Sequence, residues 1–362
     1  GTITAANAAT VHGFTNSGTN TYTIADSVTN YISGTQAATE AAQSATISGG
    51  TTDPTFAQST TLYGKGNNIV YDISDTAANV PGTATGGMNN AVDITITGNV
   101  DRTKAISIFG ATNTGLKTYN VEDTAANIAS GGNSLVIAGS LTVSGTGNKA
   151  DLAQVTGILA IGSSSKLKTD ADALLASIST NITGATNGTY TVTGASSSGA
   201  GRGATLSVTV ASGAVSGITV TKQGHGYAST ETITIAKANI GNGNVANLVI
   251  TLEAGDLTAI SQTQTYSLSD VNANLLDGGA KHANYTSAIN AKLDLAIEVT
   301  DTLDVVNAQV LLPRSDGDGG KAHEITFTGD VTGSSDNMII HVGGDNTNDI
   351  THPANGGHIA VK

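Results

Sequence analysis

Cysteine and tryptophan are both absent from this 362-residue chain, and each absence removes options. Without Cys there is no disulfide framework, no thiolate metal site and no Cys nucleophile. Many secreted bacterial and virion proteins share that lack, although a cytosolic chain can have it by chance. With no Trp, four Phe and nine Tyr, the core must be layered from Ile, Val, Leu and Ala. Basic residues are scarce too: 15 Lys plus Arg stand against 28 Asp plus Glu, a net charge of −13, and charged residues make up only 12% of the chain. That sign disfavours nucleic acid as a partner. No run of about 18 apolar residues is present to cross a bilayer, so membrane insertion is not expected. No basic-then-apolar leader opens the chain either. Gly1 falls inside a repeat, so the sequence is expected to be a piece of a longer protein.

Catalytic signatures are missing as well. The sequence has no Gly-x-Ser-x-Gly elbow, no phosphate-cradling Gly loop ending in Lys-Ser or Lys-Thr, and no His-Glu-x-x-His helix. The seven His are His12, His225, His282, His323, His341, His352 and His358. Their spacing through Gly and Asn loops reads as surface histidine rather than as a metal or acid–base cluster. No enzymatic activity and no cofactor are expected, calcium excepted.

What is present is an internal repeat. Tyr22-Ile24-Asp26-Asn30, Tyr71-Ile73-Asp75-Asn79, Tyr119-Val121-Asp123-Asn127 and Tyr266-Leu268-Asp270-Asn274 share one spacing. The first three Asp residues stand 49 and 48 residues apart, a period that suits one supersecondary unit stacked on the next. Tyr and the apolar residue two positions later fall on one face of a strand. Asp is then placed to cap the short helix begun by Ser27, Thr76 or Thr124. The Asn four residues on can end that turn in a left-handed conformation or bond the backbone through its side chain. Capping rather than ion sharing is expected of these Asp residues.

Helical stretches are predicted over 5–14, 101–109 and 150–159. Gly18 and Gly115 serve as stops in the first two cases, and Asp53 with Pro54 opens a further helix as cap and first residue. Alternating Thr-Ile-Thr strands precede these helices, as at Thr2 to Thr4 and Ile94 to Ile96. A degenerate fourth unit ends at Asp170. From Gly188 to Leu252 the pattern changes to short β runs separated by Gly-Ser-Ala turns, which reads as an inserted all-β module. After Asp277 a helix over 285–293 and strands over 295–299, 305–312, 324–328 and 337–341 read as a closing cap.

The expected architecture is therefore mainly β with short helices. Repeats over 1–187 build a parallel β-solenoid-like stack of about 48-residue period, 188–252 form the β module, and 253–362 add a further unit and a β-rich cap. Calcium is the one ligand with local support: Asp316, Asp318 and Glu324 lie on or near one Gly-rich loop, Asp345 and Asp349 on a second, and hard cations favour such oxygen sets.

The segments Tyr71 to Asn79 and Tyr119 to Asn127 both end Asp-Thr-Ala-Ala-Asn. They resemble the repeats of very large secreted surface or adhesin-like proteins of cyanobacteria and proteobacteria, over about half the chain. The stretches Gly201 to Val210 and Val220 to Tyr227 are similar to small β modules of marine phage structural proteins. Both resemblances imply non-enzymatic work outside the cell. The expected function is a structural and adhesive segment of a bacterial surface layer, filament or adhesin. Self-association is expected, with a cell-surface or glycan receptor as a further partner. A virion component, such as a tail fibre, horn or capsid decoration, is the alternative. A third reading, a polysaccharide-active enzyme on a β-solenoid, lacks two carboxylates placed on one cleft.

Overall fold

The computed structural model describes residues 1–15, 18–47, 53–66, 69–113, 115–161, 164–169, 173–242, 247–291, 295–301, 303–304, 307, 310–311, 325–327 and 331–332. The chain divides into two compact units that interleave in sequence. The first comprises Gly1–Val121, Gly132–Ser140 and Ser163–Thr263, the second Glu122–Gly131, Leu141–Gly162 and Gln264–Lys362.

The first unit opens with strand–helix alternation. Strands Thr2–Ile3, Thr23–Asp26, Ser44–Ile47 and Ile69–Val70 form a parallel sheet in chain order. Ile3 pairs with Ile24, Ile24 with Ala45 and Ala45 with Ile69, so the steps between neighbours take 21, 21 and 24 residues. Such a step leaves room for a return helix, and parallel strands require one. Strands Ile73–Thr76, Ile94–Val100 and Lys117–Asp123 continue the pattern, with Ile73 opposite Ile94 and Val100 opposite Val121. Their period-two alternation buries Ile73, Ile94, Ile96, Tyr119 and Val121, while Thr95 and Thr118 face outward.

Local sequence explains where the helices begin. Thr4, Thr55 and Asp101 are the N-caps of Ala5–His12, Phe56–Tyr63 and Arg102–Gly110, each accepting from the amide three residues on. Thr55 and Gln58 complete a capping box, which satisfies two otherwise free N–H groups at once. The structure thus corrects the expected start at Asp53 and Pro54: Thr55 is the cap and Phe56 the first helical residue. The stops differ as well, because Gly13 and Ala111 follow the first and third of these helices in place of Gly18 and Gly115. A Cβ on Gly115 would lie 2.0 Å from the Val92 carbonyl oxygen, so this glycine is there for close approach.

Within the same unit, Gly188–Ala195, Arg202–Ala211 and Ala214–His225 form an antiparallel sheet. Ser212 and Gly213, both at positive φ, close the hairpin between Ala211 and Ala214, the turn whose twist matches the strands it joins. A second antiparallel sheet holds Ile178–Thr180, Leu248–Thr251 and Thr232–Ile235. Leu206, Val208, Ile218, Tyr227, Ile233 and Ile250 form the core, which also takes in Leu167, Leu174 and Ile182.

The second unit has its own parallel sheet of Lys149–Ala150, Ser267–Asp270, Ile297–Val299 and Ile325–Phe327. Helix Leu152–Leu159 starts at a second capping box, Asp151 with Gln154. It packs on Ala125–Ala129 through Gly157, where a Cβ would stand 2.7 Å from the Ala129 carbonyl oxygen.

The expectation of a mainly β solenoid is overturned. Twelve α-helices among the described residues accompany several separate sheets, some parallel and some antiparallel. The architecture is mixed α/β. The reason is visible in the register: the 48-residue spacing of the Tyr-Asp motif spans two strands and two returns, and the returns carry helices rather than further strand. Between Asp75 and Asp123 lie a helix at Gly86–Asn90, a strand at Ile94–Val100 and a helix at Arg102–Gly110.

Candidate functional site

The repeated Asp residues act on two backbones. Asp26 Oδ1 accepts from the Ser27 amide at 2.8 Å and from Asn30 Nδ2 at 2.9 Å, while Oδ2 accepts from the Ala5 amide at 2.9 Å. Asp75 repeats this with Thr76, Asn79 and Phe56, and Asp270 with Val271, Asn274 and Leu152. Ala5, Phe56 and Leu152 are each the first residue of a helix. One carboxylate therefore covers a free helix N–H and fixes its own turn. Asp123 Oδ1 takes the Thr124 amide and Asn127 Nδ2 in the same way.

This geometry differs from simple capping of the following helix. Ser27 and Thr124 cap the short helices Val28–Ser33 and Ala125–Ala129 through their own hydroxyls. Asn30, Asn79, Asn127 and Asn274 orient the carboxylate with their amides instead of ending a turn. Burial pushes the Asp26 carboxyl up, but the bonds from Asn30, Ala5 and Ser27 outweigh it and leave its pKa below the ordinary value. Asp301 was not singled out by its spacing, yet it accepts from the Asn272 amide at 2.7 Å, the first residue of Asn272–Leu275.

The repeated tyrosines reach forward. Tyr22 donates to the Ala38 carbonyl at 2.6 Å, Tyr71 to Gly87 at 2.7 Å and Tyr119 to Ser134 at 2.6 Å. Each acceptor lies in a short helix downstream. Burial raises all four repeat tyrosines, Tyr22, Tyr71, Tyr119 and Tyr266, with Tyr71 reaching about 12.

The chemically most unusual cluster lies elsewhere in the first unit. Lys117 is only 2% exposed, and its Nζ donates to the Phe109 and Ala111 carbonyls at 3.1 and 2.5 Å. These are carbonyls at the end of helix Arg102–Gly110, where the partial charge is negative. Arg202 stacks on the Phe109 ring at 3.7 Å and donates to the same Phe109 carbonyl at 3.3 Å. Burial, reinforced by Arg202, lowers Lys117 to about 7. His225, paired across the strands with Arg202, is lowered to about 4 by burial and by Arg202 and Lys117. Its Nε2 is buried with no partner, which corrects its expectation as a surface histidine. Lys222 meets Asp93 at 3.0 and 3.2 Å. Period-two alternation puts Lys117 on the buried face with Tyr119 and Val121, so that lysine was findable from sequence; the approach of Arg202 was not.

Elsewhere in this unit, a cavity of about 40 Å³ lined by Tyr31, Thr39, Glu40 and Lys65 has room for little beyond water. The calcium residues Asp316, Asp318, Glu324, Asp345 and Asp349 lie outside the described residues, as do Asp170, His323, His341, His352 and His358. Among the described residues, no three His, Asp or Glu are grouped to hold a metal ion, and no helix is long and apolar enough to cross a membrane. Compared with family models, with curated proteins and with solved structures, the chain finds no match.

Proposed function

We propose that this chain is a non-enzymatic structural and adhesive segment of an extracellular bacterial surface assembly. The observation that carries the reading is the use of the repeated Asp carboxylates. In Asp26, Asp75 and Asp270 both oxygens bond to the chain itself, one to a neighbouring helix and one to the local turn. Side chains that recur for binding or chemistry would point at a ligand, whereas these recur to lock one segment to the next. The resemblance of the Asp-Thr-Ala-Ala-Asn segments to large secreted surface proteins supports the same reading. So does a surface of Thr, Ser, Asn and Gly with few charges.

The test is the state and place of the protein. Purified chain examined by light scattering and electron microscopy is expected to associate into oligomers or polymers, and antibody labelling is expected to mark the exterior of intact producing cells. A protein that stays monomeric at high concentration and labels only after lysis would defeat the proposal. The antiparallel module's likeness to phage structural modules favours a virion component as the second reading. Fixed stoichiometry in purified particles would select it.

A further inference from the structure

Three cations and one histidine meet one carboxylate where the antiparallel module rests on helix Arg102–Gly110. Arg202 faces His225 from the adjoining strand, and Lys222 comes from the histidine's own strand. Lys117 faces it from strand Lys117–Asp123, and Asp93 from the segment leading into Ile94–Val100. Tyr119 and Tyr227 lie near Arg202, and Glu231 near Tyr227. Asp93 already engages Lys222, so it is not free to serve a further charge.

The packing at this seat is close. A Cβ on Gly203 would meet the Gly115 carbonyl oxygen at 3.1 Å, and one on Gly226 would meet Ile137 Cγ2 at 2.6 Å. A buried imidazolium needs acceptors for both of its N–H groups, and His225 Nε2 has none. The seated module accommodates the neutral ring only.

We propose that His225 makes this seat an acid-released joint, so that protonation of the ring frees the module from the Arg102–Gly110 helix. The inference stands on the cluster and the orphaned nitrogen, independently of the extracellular role proposed above. The sign follows from proton uptake. The seated form holds His225 well below the ordinary histidine range, and the released form returns it to water. Between those limits the released form binds more protons, so seating weakens as pH falls. Below the lower limit the seating equilibrium has dropped by up to about 300-fold.

The experiment uses the absence of native cysteine. Thr95→Cys and Thr219→Cys, both exposed and outside the cluster, carry spin labels on the two sides of the seat. Pulsed dipolar distances in the full chain are expected to be single and narrow at about pH 7.5 and to lengthen and broaden by about pH 4, with circular dichroism unchanged. His225→Gln is expected to keep the narrow distance to the lower pH, and His225→Phe provides the same test should the glutamine variant not fold. Asp93→Asn is expected to move the transition to higher pH. A distance distribution unchanged over that range, or one that broadens at the same pH with and without His225, would overturn the proposal.

Discussion

The amide of Phe56 donates to Asp75 Oδ2 at 3.0 Å across a sequence separation of 19 residues. The donor begins a helix and the acceptor belongs to a strand that arrives after that helix has closed. Helix capping is ordinarily local, one side chain bonding an amide two or three residues on. Here a second, non-local acceptor is added to the local capping box of Thr55 and Gln58. Asp75 therefore links helix, strand and turn.

Asp75→Ala is expected to cost about 2–3 kcal/mol, because the buried Phe56 amide loses its acceptor in addition to the lost turn bonds. Asn79→Ala is expected to cost about 1 kcal/mol. The two changes should couple in a double-mutant cycle, read by urea unfolding. Additivity would show that Asn79 does not hold the carboxylate in place.

Tyr71→Phe removes the bond to the Gly87 carbonyl while keeping the ring, and is expected to cost about 1 kcal/mol. Burial places the Tyr71 hydroxyl at about 12, above the ordinary value near 10. Its contribution is complete below the unfolded value and is lost as pH rises from there through the folded one. Ultraviolet titration should show tyrosinate forming late in the native protein, with the unfolded chain titrating earlier.

Glycines in helices should divide by what faces them. A Cβ at Gly87 would lie 2.6 Å from the Ser59 carbonyl carbon, and at Gly157 2.7 Å from the Ala129 carbonyl oxygen. Alanine at either position is expected to destabilise by about 1–3 kcal/mol through overpacking, despite its better helix propensity. At Gly110 nothing lies within 4 Å, and Gly110→Ala is expected to stabilise by up to about 1 kcal/mol. Thermal unfolding of the three variants checks the ordering.

Lys117→Met is expected to change the pH dependence of stability in one direction. The folded protein holds Lys117 at about 7, so between there and the ordinary lysine range the unfolded chain binds the extra proton. Native stability then rises with pH through that window. Unfolding free energies measured across the same window should rise in the parent protein and stay flatter in the variant.

Much of the local structure was legible in the sequence. The pleat of period two placed Tyr71 with Ile73 and Tyr119 with Val121 on buried faces, as observed. Helices at Ala5–His12, Arg102–Gly110, Leu152–Leu159 and Ala283–Ala291 lie within a few residues of the predicted spans. The strands of the antiparallel module fall where turn residues bracketed them. What failed was the level above. The motif period is not one structural unit, because strands such as Ile94–Val100 that lack the Tyr-Asp signature pair between the strands that carry it. The partner of each Asp was missed for a related reason: the bond to Phe56 or Leu152 depends on which strand lies alongside, and no local spacing encodes that. The seating of Arg202 on Phe109 joins residues 93 positions apart, so it too was invisible along the chain.

The carboxylate that covers the Leu152 amide belongs to Asp270, 118 residues downstream. A ribosome delivers the helix long before it delivers that acceptor, and the intervening stretch contains the whole antiparallel module. Until Asp270 emerges, the nascent helix must rely on Asp151 and Gln154 for its first turn. Translation that stops inside the module would release a product whose earlier strands can pair while this helix lacks its distant acceptor.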